Sequence, residues 1–442
     1  MKPREAAFVS LQRLENSAKY LNIEADSAIR RNRLEGADKA LYTQLLYGTA
    51  ERQITLDYLI GRLSSRPTEK IDPNVRIILR LSLYQLRYLD RVPDYAVCND
   101  AAELTKRFAR EDAVGFVNGI LRSYLRTGKD LALPRPEDDF LLYLSVRYSA
   151  PVWLCRLFTE AYGKGRAERI LDAFDVHPTV TLCTNLQKCT REELLARLHE
   201  DGIRAEKCAY SPLGVRLLSH VPTEKLTVLS EGLCFVQDES SQLCAAALGA
   251  QPGERILDAC ACPGGKSFAV AIAMQDKGVL ESCDLHDNKL SLVRRGAETL
   301  GLSCIRTAAR DGSVFDPALE EAYDRVLCDV PCSGLGVIAK KPDIKMKKEE
   351  DLVRLPEVQA KILSNCARYV RPGGVLVYST CTLHPDENEK QIERFLSENP
   401  AFSLTETPVG PRVFPGAAVL IPDEMKGCDG FFVAKLQKAD SV

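Results

Sequence analysis

The sequence predicts a multidomain protein: an all-α N-terminal domain, a small α+β connector, and an α/β C-terminal domain built on a mostly parallel sheet. Three observations carry this. At 442 residues the chain is long enough for two or three domains. Up to about residue 128, Gly and Pro are sparse and apolar residues recur at three and four, the helical period. From about residue 233, short apolar runs alternate with helical segments, the pattern of strands joined by crossover helices.

The helical part, residues 1–128, includes a segment from Val75 to Leu89 that is apolar nearly all round. At ~100° per residue, Arg76, Arg80 and Arg87 fall within about 40° of one another, so a buried helix carries one narrow basic stripe. Such a stripe either salt-bridges to neighbouring helices or touches phosphates. Residues 127–139, TGKDLALPRPEDD, break the periodicity with two prolines and read as a linker. The connector is expected over 140–232: first helical, then the β-like run Thr179–Cys183, the helical TREELLARLHEDG, and further β-like pieces. No chemistry is legible in it. The C-terminal domain is expected over 233–442, with strands at Arg255–Ala259, Val279–Cys283, Arg325–Asp329 and Val375–Ser379.

Composition limits the function. Apolar residues make up 45% and charged residues 27%, an ordinary globular balance. No run approaches ~20 apolar residues, so no membrane span is expected. The opening MKPREAAFVSLQRLEN lacks the apolar core of a signal peptide, so a cytoplasmic protein is expected. The 16 cysteines include no C-x-x-C pair, which argues against a zinc ribbon, and no metal is expected. Net charge is −2, yet residues 1–130 hold 22 Lys+Arg against 17 Asp+Glu. A mildly basic N-terminal part is compatible with a polyanionic partner.

Ligands of a parallel sheet bind at the carboxyl ends of its strands, and four unusual sequences lie there. RILDACACPGGKS runs from a strand through Gly264 and Gly265 into a helix, where glycine permits close backbone approach and free N–H groups face the ligand. Gly265, Lys266 and Ser267 match the end of a phosphate loop, but Cys260 stands where that loop needs its first Gly. A nucleoside triphosphatase is therefore disfavoured. Asp284 ends the next strand, 20 positions after Gly264, where an acid can accept from ribose hydroxyls. A nucleoside cofactor such as S-adenosylmethionine fits. DRVLCDVPCSGLGV places Asp329 and Cys332 at a third strand end, and GGVLVYSTCTLHPDENE places Thr380 and Cys381 at a fourth. Cys381 alone is more often structural than nucleophilic, whereas the strand-end Pro-Cys setting of Cys332 favours a functional reading.

Taken together, the four motifs resemble the RNA cytosine-5 methyltransferases with a Thr-Cys and a Pro-Cys motif. The resemblance covers 233–442 and includes FVQDESSQL at 235–243 and CDGFFVAKL at 428–436. The N-terminal part resembles the RNA-binding protein NusB, notably in NDAAELTKRF at 99–108 and GFVNGILR at 115–122. This fusion looks like the bacterial Sun/RsmB type, which acts on one cytosine of small-subunit (16S) ribosomal RNA. The resemblance implies a Rossmann-like catalytic domain, with Cys381 as nucleophile, Cys332 assisting release, and Asp329 at the target base. It also implies a cofactor site formed by Cys260, Ala261, Cys262, Pro263, Gly264, Gly265 and Lys266 with Asp284, Asp311 and Asp329. Cys262 departs from the usual Ala of that loop, with little expected consequence. Lys340, Lys341, Lys345, Lys347 and Lys348 could hold the RNA backbone. A monomer is expected. The alternatives are a relative acting on transfer RNA and a non-catalytic RNA-binding assembly factor, the latter opposed by the presence of both cysteines.

Overall fold

The computed structural model describes residues 1–16, 21–176, 178–219 and 221–440. They form two compact units. The first comprises residues 1–175 with the short segment 341–347, and the second comprises 176–340 and 348–442.

The first unit is helical. Its core is built from α1 (Pro3–Asn16), α2 (Leu21–Asn32), α3 (Gly36–Glu51), α4 (Gln53–Leu63), α5 (Pro73–Tyr88), α6 (Asp94–Phe108) and α7 (Val114–Arg126). The expected central helix is α5. Its start is fixed by Asp72, whose carboxylate accepts from the backbone N–H groups of Asn74 and Val75, and by Pro73 in the first turn. From Ile77 to Leu86 every side chain is buried. The arginine stripe is structural at its centre. Arg80 is ion-paired with Glu15 and with Asp57, and Arg76 lies 3.6 Å from Glu15. Arg87 donates to the Tyr124 hydroxyl at 3.3 Å.

Three further helices, α8 (Phe140–Tyr148), α9 (Val152–Tyr162) and α10 (Lys164–Phe174), fall within this compact unit. The reason is local: α8 packs on α4, where the Thr55 hydroxyl donates to the Val146 carbonyl at 2.6 Å.

In the second unit, a four-stranded antiparallel sheet comes first. It contains β1 (Thr181–Thr184), β2 (Ala205–Lys207), β3 (Gly214–Leu217) and β4 (Cys234–Val236) in the order β2-β3-β1-β4. Helices α11 (Arg191–Glu200) and α12 (Thr227–Ser230) accompany it. Strand β4 lies beyond the expected boundary at 232 because it pairs with β1, Leu182 opposite Val236.

The larger sheet follows: β5 (Arg255–Asp258), β6 (Val279–Asp284), β7 (Ile305–Ala309), β8 (Tyr323–Asp329), β9 (Val370–Thr380) and β10 (Phe402–Leu404). After the small hairpin of β11 (Thr407–Val409) and β12 (Arg412–Phe414) come β13 (Ala418–Leu420) and β14 (Phe431–Lys438). The order is β10-β14-β9-β8-β5-β6-β7, with β13 paired to β14. Strands β5 to β9 pair in parallel, and β14 returns antiparallel beside β9. This is the expected Rossmann-like, mostly parallel sheet.

Helices α13 (Glu239–Ala247), α14 (Gly265–Ala273), α15 (Asp287–Leu300), α16 (Leu355–Tyr369) and α17 (Glu389–Glu398) accompany this sheet. Successive side chains of β5 face opposite ways. Leu257 joins the apolar cluster with Ile362, Leu363 and Cys366 of α16, while Asp258 meets Ser267 of α14. Strand order reverses at β5, which lies between β6 and β8, and that reversal opens a crevice at the carboxyl ends. No helix among the described residues is long and apolar enough to cross a membrane.

Candidate active site

The loop after β5 carries Cys260 to Lys266. Gly264 has φ of +115°, a conformation L side chains rarely adopt, and a Cβ there would come within 2.6 Å of the Phe268 ring. The turn therefore requires glycine, and it delivers the chain into the amino end of α14. Beneath it, buried Asp258 accepts from Ser267 Oγ at 2.6 Å, and Ser267 in turn accepts from Ser282 Oγ at 2.8 Å. Burial pushes the Asp258 carboxyl up to about 7.

Asp284 ends β6 and caps the following turn, accepting from the His286 N–H at 3.0 Å. Cys262 stands beside Asp284. Burial and the Asp284 carboxylate beside it push its thiol up to about 12. Asp311 follows β7 and accepts from the N–H and hydroxyl of Ser313, which holds its carboxyl below the usual range. Asp311 and Gly312 edge a cleft of about 390 Å³ whose walls include Ala259, Cys283 and Phe315.

Lys266 points elsewhere than the rest of its loop. Its Nζ lies 2.8 Å from Asp329 Oδ2, and the Phe431 ring faces it at 4.9 Å. Burial works against the Lys266 charge, but Asp329, with Cys244 and Cys381, outweighs burial and raises its pKa. The other Asp329 oxygen accepts from Ser379 Oγ at 2.8 Å. Asp329 at the end of β8 is thus oriented from two sides.

Cys332 and Cys381 leave the adjacent strands β8 and β9, and their Sγ atoms are 3.2 Å apart. The neighbouring Cys381 sulfur, and then burial, push the Cys332 thiol far above the usual range. Cys332 accordingly keeps its proton. Around Cys381 the backbone is locked. Asn388 Oδ1 accepts from Thr380 Oγ1 at 2.6 Å, and Asn388 Nδ2 donates to the Thr382 carbonyl at 3.0 Å. The Gly336 N–H donates to the Cys381 carbonyl at 3.0 Å, and the Gly430 N–H to the Gly336 carbonyl at 2.8 Å. A Cβ on Gly336 would meet the Gly430 carbonyl oxygen at 1.9 Å, so these two chains approach as only glycine allows.

The crevice therefore gathers Lys266, Asp329, Cys332 and Cys381, with Asp284 and Asp311 along the neighbouring strand ends. Sequence reasoning missed Asp258, Ser379 and Asn388. Asp258 reads as part of a strand, and Asn388 lies among acids that look like a helix N-terminus. The lysine run is corrected in part. Lys340 is ion-paired with Asp238 and Asp429, and Lys345 is buried in the helical unit, donating to the Tyr148 carbonyl at 2.9 Å. Lys345 is not available to phosphate and the Lys340 charge is already paired, whereas Lys341 and Lys348 are exposed.

Residues 245–437 match the 16S rRNA methyltransferase RsmB/F family, residues 1–126 the NusB family, and residues 150–224 the ferredoxin-like domain of RsmF/B-like methyltransferases. The chain is 39% identical over 447 aligned residues to the probable ribosomal RNA small subunit methyltransferase B of Bacillus subtilis, covering 98% of each. The chain belongs to the RsmB/F methyltransferase family. The Synechocystis protein described in the same words is 37% identical over 99% of each chain. The crystal structure of PH0851 superposes with a TM-score of 0.81 at 24% identity, over 99% of each chain, and shares the fold. The connector of this RsmB/F chain is thus ferredoxin-like, a class its short β-like runs had left open.

Proposed function

We propose that the protein transfers a methyl group from S-adenosylmethionine to C5 of one cytosine in 16S ribosomal RNA, with Cys381 as covalent nucleophile. The observation that carries this reading is the pair of sulfurs, 3.2 Å apart, beside the Lys266–Asp329 ion pair at the carboxyl ends of parallel strands.

The cofactor residues fit an adenosyl group. The Gly264–Gly265 turn gives a backbone cradle, Asp284 offers a carboxylate to ribose hydroxyls, and the cleft edged by Asp311 and Gly312 has apolar walls for a base. When bound, S-adenosylmethionine supplies an electrophilic methyl group. The protein supplies the rest. Cytosine C5 is a poor nucleophile until a thiolate adds to C6. A free thiol is only a few per cent ionised at pH 7, and the Lys266 ammonium within reach of Cys381 favours the thiolate there. Cys381 Sγ bonds to C6, and electron density moves to C5. Asp329 holds the base edge as charge develops. Once C5 is methylated, its proton passes to water. The C5–C6 double bond re-forms, and the C6–S electron pair returns to Cys381. Cys332, still protonated, donates to the departing sulfur.

The target base must leave its stack, at a cost of a few kcal/mol that an unpaired loop reduces. The NusB-like unit, with its positive balance, supplies RNA affinity. The test is methyl transfer from labelled S-adenosylmethionine to 16S rRNA, with nucleoside analysis of the product. Label in 5-methylcytidine is expected, and Asp284→Ala should raise the cofactor Kd by roughly tenfold or more through loss of a charged acceptor. Label in another nucleoside would overturn the C5 reading.

A further inference from the structure

A buried carboxylate that the chemistry above does not use ties the two cysteine turns together. Glu387 lies six residues after Cys381 and is 1% exposed. Its Oε2 accepts from the Ser333 N–H at 2.9 Å, the residue next to Cys332, and from Gln359 Nε2 at 2.8 Å. Gln359 Nε2 also donates to the Pro331 carbonyl at 2.9 Å, so both flanks of Cys332 are gripped. Ser333 Oγ and Thr382 Oγ1, 2.7 Å apart, add a second tie between the turns. The backbone of Glu387 is itself fixed, its carbonyl accepting from Tyr378 Oη at 2.6 Å.

The geometry contains more than a clamp. Glu387 Oε1 is buried and has no hydrogen-bond partner among the described residues. Leaving a buried carboxylate oxygen unpaired is costly, so the group calls for an explanation in what it does to its surroundings. Cys332 lies in those surroundings. Its proton is held by Cys381 first and then by burial, and the charge on Glu387 adds to both, ahead of Asp329. Tyr378 and Lys266 also interact electrostatically with the pair, Tyr378 with Cys332 and Lys266 with Cys381.

We infer that Glu387 is the positioning residue that makes the two thiols unequal: it fixes the Cys332 turn against the Cys381 turn and commits Cys332 to the hydrogen-donating role. Two similar thiols at 3.2 Å would otherwise share one proton, with either sulfur free to attack. The carboxylate faces the turn of Cys332, so its charge penalises a thiolate there and leaves the nucleophilic role to Cys381. The inference rests on the covalent reading proposed above, but its first test does not need RNA.

The experiment follows the alkylation of Cys332 by iodoacetamide against pH, by peptide mass spectrometry, in the full-length Cys381→Ser protein. Glu387→Gln keeps the shape and the acceptor oxygen while removing the charge. It should move the Cys332 midpoint down by about one pH unit, the order expected when a nearby like charge is removed. Gln359→Met removes a donor that partly neutralises the carboxylate, and should move the midpoint up. Mere loosening of the turn would move both variants the same way, which would overturn the inference, as would an unchanged midpoint in Glu387→Gln. With Cys381 intact, Glu387→Gln should then lower kcat several-fold, leave KM for RNA unchanged, and prolong the RNA–protein adduct. Normal adduct release in Glu387→Gln would also overturn it. Absence of any adduct in the wild-type and Cys332→Ala proteins would instead reject the covalent reading, and the midpoint shifts would stand apart from that result.

Discussion

Lys266 and Asp329 form an ion pair of 2.8 Å that joins the loop after β5 to the end of β8. The loop after β5 and the carboxyl end of β8 are therefore one electrostatic unit. Lys266 is thereby held to a residue that the family resemblance placed at the target base as well as beside the cofactor loop.

The pair gives the first prediction. Lys266→Met should leave Asp329 poorly compensated and destabilise the second unit by about 3 kcal/mol, the order found when one partner of a buried pair is removed. Denaturant unfolding followed in the single variants and in Lys266→Met/Asp329→Leu checks this. The double variant should recover most of the loss. Equal stability of Lys266→Met and wild type would show that the pair contributes nothing to folding.

Asp258 gives a pH prediction. Its carboxyl is pushed from 3.8 to about 7 by burial, so the folded state holds a proton that the unfolded state has released. Between those two values the native protein binds more protons than the unfolded chain, and stability must fall as pH rises. Asp258→Asn removes this dependence. Unfolding free energy measured from pH 4 to pH 8 should decline through that window in wild type more steeply than in the variant. Parallel curves would contradict the account.

The arginine stripe gives a third. Arg80 is buried between Glu15 and Asp57, so Arg80→Met should lower the melting temperature of the helical unit. It should leave the slope of log affinity against log salt for RNA unchanged, because no phosphate contact is lost. A flatter slope with unchanged stability would restore the phosphate reading of this residue.

These cases show what could be read from the sequence. The layout of helices, connector and parallel sheet was legible because each part has its own apolar period, and Cys332 and Cys381 were legible because each follows the carboxyl end of an expected strand within a motif that the family resemblance covers. Partnership was not. Arg80 and Lys345 are charged residues whose companions lie far along the chain at Asp57 and Tyr148, and no local pattern encodes such burial. Glu387 and Asn388 were hidden for another reason. After Pro385, acids suit the first turn of a helix, so a buried carboxylate and a backbone lock looked like ordinary capping. The boundary of the connector failed because β4 is three residues long and its partner β1 lies about fifty residues earlier.

The covalent role of Cys381 is the central claim, and trapping measures it most directly. Cys332→Ala and Cys381→Ala proteins would be incubated with 16S rRNA and S-adenosylmethionine, then separated on a denaturing gel. Cys332→Ala should accumulate a denaturant-resistant RNA–protein band that peptide mapping assigns to Cys381. Cys381→Ala and the double variant should give no band and no turnover. A stable band from Cys381→Ala, with none from Cys332→Ala, would reverse the two roles, and full activity in both single variants would contradict covalent catalysis altogether.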